Sequence, residues 1–352
     1  MRLLERLEQL YAIGGGPGAN RLGGSPQEDE AHDLVAGWMH EAGLEVERDE
    51  AGNLYGRLRG RKPELPEVWT GSHLDSVPAG GRFDGALGVV GGLEAVERAG
   101  QQERTLTVVA FRDEEGCSGP GCVGSRALCA AWSASRPSAF VELHVEQGPR
   151  LQEAGVPLAV VTGIVATAKG EVVFEGREGH AGTTPMAGRS DALLAAAEFV
   201  LELRDAAAAV EGAVATVGRL EVEPGASNVI PARVRVSVDA RAPDLERVDE
   251  VLAAVRAELS RTAEVEMAPW PTEALREQLV GLGVPVIELA SGAGHDAGVL
   301  AAAGVATGML FVRSLNGGIS HSPDELSAGE DIAQAVTALQ GALVRLASSV
   351  DG

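Results

Sequence analysis

The sequence predicts an α/β protein in which a smaller α+β domain interrupts the chain of a larger domain. At 352 residues the chain suits two domains of roughly 100–200 residues each. Before residue 160 and after residue 280, short apolar runs alternate with helical stretches, which is typical of a mostly parallel sheet covered by helices on both faces. Between those regions the order of elements is β-α-β-β-α-β, the order of a small split sheet with two helices.

The first helix with clear end signals begins at the segment SPQE. Ser25 can cap it, the following proline suits its first turn, and Glu28 would complete a capping box. Apolar residues recur at helical spacing over 31–42, and Gly43 then ends the helix.

The remaining elements are assigned from apolar runs and periodic stretches. The predicted strands of the larger domain include NLYGRL, EVWTG, TLTVVAF, AFVELH, VPVIEL and GMLFV, and those of the smaller domain are EVVFEG, AVATVGRLEV, NVIPARVRVSVDAR and AEVEM. Predicted helices include 190–208, 245–261 and 328–348. We therefore assign 1–163 and 271–352 to the larger domain and 164–270 to the inserted domain.

The charge and the composition restrict the classes of partner. Apolar residues make up 45% and charged residues 23% of the chain, as in ordinary globular proteins, but the formal net charge is −22. Nucleic acids and anionic membranes attract positive patches, so neither is an expected partner.

The sequence also indicates a cytoplasmic protein. No apolar run reaches the ~18–20 residues that span a bilayer, and the N-terminal segment MRLLERLEQLYAIGG lacks the uninterrupted apolar stretch of a signal peptide. The three cysteines, Cys117, Cys122 and Cys129, are too few and too irregularly spaced for a disulfide framework.

Residues 71–89, GSHLDSVPAGGRFDGALGV, combine a histidine and two aspartates with several glycines. His73 and Asp75 are two residues apart on an extended chain and point the same way, so one can ligate a metal while the other orients it. The glycines allow Asp84 to return toward His73. The alternative is that Asp84 serves only as the N-cap of the following helix.

The segment FRDEEG places three consecutive acidic residues at the end of a strand. Like charges packed together raise one another's pKa, so such a cluster is costly unless a cation lies there. Strand alternation lets Glu114 and Glu115 face different directions, so that one can bind a metal while the other acts as a base. The alternative is a solvated acidic turn.

Two further histidines lie in short motifs at the ends of elements, His144 in FVELHVEQGP and His321 in GGISHSPDE. With the residues above they give three imidazoles and two carboxylates. Such a set suits two divalent ions such as Zn²⁺ or Mn²⁺ with one carboxylate bridging them. The alternative is that these acids and histidines are scattered over the surface.

The motifs, taken together and in order, resemble the M20 metallopeptidase and amidohydrolase family. They are GSHLDSV, GGRFDGALGV, FRDEEG, ELHVEQGP, GHAGTTPM, SNVIP, DAR, SGAGHDA and GISHSPDE. They are most similar to the hydantoinase/carbamoylase branch, which includes N-carbamoyl-L-amino acid hydrolases, allantoate amidohydrolases and β-ureidopropionases. The resemblance implies a zinc-exopeptidase-like catalytic domain, with a mixed sheet between helices, and an inserted ferredoxin-like α+β lid and dimerisation domain.

The resemblance also implies the roles of individual residues. One ion would be held by His73, Asp84 and His144, and the other by Asp84, Glu115 and His321, with Co²⁺ and Ni²⁺ as alternatives to Zn²⁺ and Mn²⁺. Glu114 would be the general base, and Asp75 would orient His73. His180 would contact the transition state from the partner subunit of a homodimer. Three further residues would contact a carboxylate-bearing substrate, and these are Gln147, Asn228 and Arg241.

The expected activity is hydrolysis of an N-carbamoyl-L-amino acid, or of an allantoate-type ureido acid, to amino acid, ammonia and CO₂. An M20 dipeptidase or aminoacylase is the alternative within the family, and a non-catalytic metal-binding dimer is the alternative outside enzymes. The sequence departs from the pattern in a short segment between Glu115 and His144, and in Thr-Ala at 167–168 where relatives often carry a polar contact. Both departures bear on the substrate rather than on the metal chemistry.

Overall fold

The computed structural model describes residues 2–117, 121–132 and 136–348. The chain forms two compact units. The first comprises Met1–Gly163 and Glu266–Gly352, and the second comprises Ile164–Val265. The short segment between Glu115 and His144 includes residues 118–120 and 133–135, which lie outside the described part.

The described residues form strands and helices in alternation. The strands are β1 (Glu45–Arg48), β2 (Leu54–Leu58), β3 (Val68–His73), β4 (Leu106–Phe111), β5 (Ala139–Val145), β6 (Leu158–Ile164), β7 (Ala166–Glu175), β8 (Val214–Glu223), β9 (Arg233–Ala242), β10 (Ser260–Thr262), β11 (Val265–Glu266), β12 (Glu288–Ser291) and β13 (Thr307–Val312). The helices are α1 (Arg2–Ala12), α2 (Pro26–Glu41), α3 (Ala86–Ala99), α4 (Val123–Ala131), α5 (Arg150–Ala154), α6 (Ala192–Ala209), α7 (Leu245–Ala254), α8 (Pro269–Gly281), α9 (Asp296–Ala302) and α10 (Gly329–Ser348). None of the helices in this described part of the chain is both long and apolar enough to cross a membrane.

The larger sheet is mixed. Its strand order is β1-β2-β4-β3-β5-β13-β6-β11, with β12 beside β6. The central strands β4, β3, β5 and β13 run parallel, whereas β2 and β6 join them antiparallel. The predicted α/β class with a mixed sheet is therefore confirmed, and the parallel part is its centre.

The central strands are buried at every residue, as is typical of parallel strands covered on both faces. Because these four strands are parallel, their carboxyl ends meet at one edge of the sheet. β3 ends at His73, β5 carries His144 next to its end, and β4 leads directly into the FRDEEG segment. The segment that contains His321 follows β13. The fold thus gathers the predicted ligands at this edge.

Helix α2 begins as predicted, with one correction. Ser25 is its N-cap and accepts a hydrogen bond from Glu28 N. The side chain of Glu28 does not return to the N-cap amide as a capping box requires, but accepts from Gly24 N and from Asp113 N. It therefore ties the start of α2 to the FRDEEG segment.

The second unit has the predicted β-α-β-β-α-β order in an antiparallel sheet with strand order β10-β7-β9-β8. Its core joins one face of this sheet to α6 and α7, and the strand β9 accordingly alternates between buried and half-buried residues. Two boundaries predicted from sequence are wrong. The helix predicted over 245–261 ends at Ala254, because Arg256 turns the backbone to a φ of 53°. The last strand of this sheet is β10 rather than AEVEM, whose residues 265–266 pair with β6 of the larger sheet.

Candidate metal centre

His73 is buried at the end of β3 and is oriented by a carboxylate. Its Nδ1 lies 3.2 Å from Asp75 Oδ1, so Nε2 is left to face Asp84 and Glu114, each at 3.8 Å. Burial alone would raise the pKa of Asp75, but the hydrogen bond and charge of His73 hold that pKa below its usual value. This is the arrangement in which a carboxylate fixes the tautomer of a metal-binding histidine.

The glycine-rich segment before α3 lets Asp84 return to His73. Helix α3 is capped at Gly85, with a φ of 62°, so the alternative in which Asp84 is the N-cap is wrong. A Cβ on Gly85 would lie 2.4 Å from Cε1 of His73. Only glycine therefore allows the backbone to pass so close to the imidazole.

The two oxygens of Asp84 face different histidines. Oδ1 lies 3.3 Å from His144 Nε2, and Oδ2 lies 3.3 Å from His321 Nε2. His321 Nε2 is also 3.4 Å from Glu115 Oε2. Asp84 thus belongs to two groups whose ligand atoms all lie within 4.8 Å of one another, and these are His73, Asp84, His144 and Asp84, Glu115, His321.

The two glutamates of the FRDEEG segment have largely buried side chains, and their backbone is held by Asp75. The Oδ1 of Asp75 accepts a hydrogen bond from Glu114 N at 3.0 Å, and its Oδ2 accepts one from Glu115 N at 3.1 Å. The side chains of Glu114 and Glu115 are only 9% and 8% exposed, so the alternative of a solvated acidic turn is wrong. Glu114 faces His73 while Glu115 faces His321, so the two carboxylates point in different directions as predicted, although both lie beyond the end of β4.

Unpartnered buried atoms show that this cluster fits a cation. Glu115 Oε1 and His144 Nε2 are buried and have no hydrogen-bond partner among the described residues. Burial and the charge of Asp84 raise the pKa of Glu115 to about 7. Burial, with the charges of Asp296 and Glu115, raises the pKa of Glu114 well above its usual range although His73 opposes the shift. Imidazole nitrogens and carboxylate oxygens are the donors that Zn²⁺ and similar ions take, so divalent ions would supply the missing charge and the missing partners.

The second ligand group is less enclosed than the first. The side chain of His321 is 49% exposed, whereas that of His144 is 1% exposed. Gln147, predicted as a substrate contact, lies here with a φ of 56° and donates from Nε2 to Asp84 Oδ2 at 3.1 Å. Its Nε2 is also 3.3 Å from Ser320 Oγ.

Sequence reasoning missed Glu142, a buried acid close to the first ligand group. Its Oε1 accepts from Ser72 Oγ at 2.6 Å, and its Oε2 accepts from Ala297 N at 2.8 Å. It forms a third possible ligand group with His144 and His295. Because both oxygens of Glu142 already have donors, this group suits a cation less well than the other two.

The motif SGAGHDA also brings its two polar residues to this region. The ring of His295 lies 4.4 Å from that of His144, and its Nε2 is 2.9 Å from Ser291 Oγ. Asp296 receives a hydrogen bond from Ser125 Oγ, and burial with the charge of Glu142 raises its pKa to about 8. In the sequence, only the motif SGAGHDA indicated that these two residues matter. Their spacing does not predict where they lie in the structure.

Cys122 contacts the predicted general base. Its buried Sγ lies 3.5 Å from Glu114 Oε1, and its backbone has a φ of 50°. Cys117, Cys122 and Cys129 are free thiols, as their spacing predicts.

The other predicted residues lie in the second unit. His180 and Asn228 are exposed and close together, because Ala181 N donates to Asn228 O and His180 pairs with Val229. Arg241 lies on β9 and donates from Nε and Nη2 to the carboxylate of Asp239 at 2.8 and 2.7 Å.

A mixed sheet that gathers histidines and carboxylates at the carboxyl ends of its central strands, in groups that could hold a metal ion, is typical of metal-dependent hydrolases. The particular family follows from comparison: residues 69–345 match the model of peptidase family M20/M25/M40, and the chain belongs to this family.

Comparison with individual relatives indicates the branch of the family to which this chain is similar. The N-carbamoyl-L-amino acid amidohydrolase of Geobacillus stearothermophilus is 38% identical over 98% of this chain and 98% of its own length. The ureidoglycolate hydrolase of Arabidopsis thaliana is 33% identical over 94% of this chain and 82% of its own length. The crystal structure of a hydantoinase/carbamoylase family amidase from Burkholderia vietnamiensis superposes with a TM-score of 0.91 at 32% identity, over 99% of this chain and 97% of that one.

These comparisons confirm the resemblance and the predicted enzyme class, a metal-dependent amidohydrolase that acts on C–N bonds other than peptide bonds. The alignment with the Geobacillus enzyme runs over 403 positions, more than the 352 residues of this chain. This chain therefore lacks segments that the relative has.

Proposed function

We propose that the protein hydrolyses the carbamoyl C–N bond of an N-carbamoyl-L-amino acid or of an allantoate-type ureido acid. Water adds to the carbamoyl carbon, the C–N bond to the amino acid breaks, and the carbamic acid that leaves decomposes to ammonia and CO₂. Relatives that carry the names of carbamoyl amino acid and ureido hydrolases over nearly the whole chain support this substrate class.

The observation that carries the proposal is the position of Asp84 between two ligand groups. Its Oδ1 faces His144 and its Oδ2 faces His321 at the same distance of 3.3 Å. A carboxylate so placed can bridge two cations, with His73 and His144 on one side and Glu115 and His321 on the other. We expect Zn²⁺ or Mn²⁺, with Co²⁺ and Ni²⁺ as alternatives, because the donors are imidazoles and carboxylates without thiolates.

Glu114 is the proposed general base. Divalent ions held by these residues would lower the pKa of a water molecule and polarise the scissile carbonyl. Glu114 accepts the proton of the attacking water and delivers it to the leaving nitrogen. Its burial suits this task, because a carboxyl with a raised pKa is a better proton shuttle near neutral pH than a solvated one.

Residues of the second unit and Gln147 would recognise the substrate. A planar guanidinium binds a carboxylate in a bidentate manner, so Arg241 is the proposed clamp for the substrate carboxylate, with Asn228 and Gln147 as further contacts. His180 would donate to the oxyanion from the partner subunit of a cytoplasmic homodimer. In this proposal 164–270 acts as a lid and dimerisation domain.

A substrate panel tests the reaction. The chelator-treated protein is supplied with Mn²⁺, Co²⁺, Ni²⁺ or Zn²⁺ and incubated with N-carbamoyl-L-amino acids, allantoate, β-ureidopropionate, N-acetyl amino acids and dipeptides. Ammonia is measured for the ureido compounds and free amino acid for all. Ureido hydrolysis above every dipeptide and N-acetyl substrate is the expected result, and the reverse order would replace the proposal with the dipeptidase or aminoacylase alternative.

Subunit mixing tests the role of His180. The variants His180→Ala and Glu114→Gln are each expected to be nearly inactive alone. If His180 acts across a dimer, mixed dimers regain one complete site, and random pairing restores about a quarter of the parent activity. Recovery of no activity from a mixture whose subunits exchange would place His180 in the site of its own subunit.

A further inference from the structure

Glu325 is a buried carboxylate that the proposed mechanism does not use. It follows His321 in the motif GISHSPDE and is 4% exposed. Its Oε1 accepts hydrogen bonds from Phe83 N at 2.7 Å and from Asp84 N at 3.1 Å. Its Oε2 accepts one from Ser320 Oγ at 2.7 Å. A single side chain therefore connects the two loops that carry Asp84 and His321.

Glu325 is not itself placed as a ligand. Both of its oxygens already accept hydrogen bonds, and it belongs to none of the groups whose ligand atoms converge among the described residues. The loop it supports is packed tightly against it, because a Cβ on Gly81 would lie 2.2 Å from Glu325 Cδ. A carboxylate in this position acts on backbone atoms rather than on a cation.

We propose that Glu325 is a positioning residue that fixes the backbone of Asp84 relative to His321, so that both oxygens of Asp84 stay aimed at their histidines. Without this acceptor, the amides of Phe83 and Asp84 would be buried without a partner, and the loop would rearrange to satisfy them. The inference rests on the proposed cation centre but not on the identity of the organic substrate.

The experiment measures cation binding rather than turnover. The chelator-treated full-length chain is titrated with Mn²⁺ alone, by calorimetry and by electron paramagnetic resonance of the free ion. Glu325→Ala is expected to weaken Mn²⁺ binding about 10- to 100-fold, the usual effect of losing a residue that supports metal ligands. Gly81→Ala is expected to weaken it in the same direction, because its methyl group displaces the same carboxylate.

The variant Glu325→Gln tests whether Glu325 acts through its hydrogen bonds or through its negative charge. Its amide oxygen still accepts from both backbone amides, and its NH₂ group can donate to Ser320 Oγ, so Mn²⁺ affinity is expected to remain near that of the parent. Asp191→Ala is the matched control: Asp191 also accepts two backbone N–H bonds, from Leu193 and Leu194, but at the start of α6 in the second unit. It should leave Mn²⁺ affinity unchanged.

Parent-like Mn²⁺ affinity in Glu325→Ala would overturn the proposal, and so would Glu325→Gln binding as weakly as Glu325→Ala. If Glu325→Ala does not fold by circular dichroism, Gly81→Ala and Glu325→Gln decide: weakened binding in the first with retained binding in the second supports the positioning role, and any other pair overturns it. Because organic substrate is absent, these outcomes are independent of whether the protein cleaves ureido compounds.

Discussion

The two sheets of this protein are built from different kinds of strand. In the larger sheet, β3, β4, β5 and β13 are buried along their whole length. In the smaller sheet, β9 alternates between buried and half-buried residues, and β8 is largely exposed. One sheet is enclosed on both faces, whereas the other is packed on one face only.

The difference extends to the side chains that each sheet presents. His73, Asp84 and His144 are almost entirely buried and have their geometry fixed by neighbours within the first unit. His180 and Asn228 of the second unit are exposed. In the proposed function, the enclosed sheet supplies a preorganised cation site, while the half-open sheet supplies exposed residues that contact a substrate or a second copy of the chain.

The largest expected effect is that of a substitution at the carboxyl ends of the enclosed, larger sheet. Glu114→Gln should lower kcat by about 100- to 10,000-fold, because a general base typically contributes that much. Metal content, measured by plasma mass spectrometry, should stay at the parent value because Glu114 is not among the proposed ligands. Near-normal turnover would remove Glu114 from the role of base.

A second variant tests a proposed metal ligand instead of the proposed base. His73→Ala should lose both activity and metal, because it deletes a ligand rather than a base. If the two variants retain the same amount of metal, the division of roles between His73 and Glu114 is wrong.

The second prediction tests how tightly the enclosed site is built. Gly85→Ala should lower the free energy of unfolding by about 1–3 kcal/mol more than Gly100→Ala does, as expected for overpacking. Both glycines have a φ of 62°, but only at Gly85 would the new methyl group meet His73, since no atom of the described residues lies within 4 Å of it at Gly100. Chemical denaturation measures the difference, and equal losses would show that backbone strain alone requires glycine at 85.

The third prediction concerns the half-open sheet. Arg241→Ala should raise KM for carboxylate-bearing substrates about tenfold while kcat changes little, the loss expected for a charged hydrogen bond. Arg235→Ala is the control, because it lies on the same face of β9 but pairs with Glu221 and Glu223. An unchanged KM in Arg241→Ala, or an equal rise in both variants, would rule out the clamp.

The smallest effect concerns a buried histidine away from the predicted ligands. Burial, with the charge of Arg112, lowers the pKa of His32 to about 4. The unfolded chain, with a histidine pKa near 6.5, therefore binds the proton first, and stability is lost as pH falls from 6.5 toward 4. Between pH 6.5 and 5.5 this group should cost about 1 kcal/mol of unfolding free energy.

Urea unfolding at a series of pH values measures this slope. His32→Gln should show a shallower loss than the parent over that interval, whereas His40→Gln, at an exposed position of the same helix, should follow the parent curve. Parallel curves for all three proteins would show that His32 is not buried in its neutral form.

The sequence carried most of the information about the enclosed sheet. Continuous apolar runs predicted β3, β4 and β5, and polar residues directly after them predicted where ligands would gather. The residues that escaped prediction act through contacts distant in sequence. Glu142 lies inside an apolar run, and its partners Ser72 and Ala297 have no local signal that links them to it.

Boundaries in the half-open sheet were harder to predict for a physical reason. The helix over 245–261 stops early because Arg256 adopts a left-handed backbone conformation, which a non-glycine residue takes only when its surroundings impose it. Likewise, Glu28 has the spacing of a capping box, yet tertiary structure offers it the amide of Asp113 instead. Local sequence patterns indicate candidate helix ends and caps, and contacts between residues distant in sequence determine which of them form.

The uneven enclosure of the histidines has a kinetic consequence. His321 is half open to solvent while His73 and His144 are sealed beneath the sheet edge. In the proposed two-ion centre, ions and chelators would therefore reach the cluster from the His321 side, and the outer position should exchange first during dialysis. A preparation stripped only briefly would retain its inner ion, and its occupancy would record how it was handled.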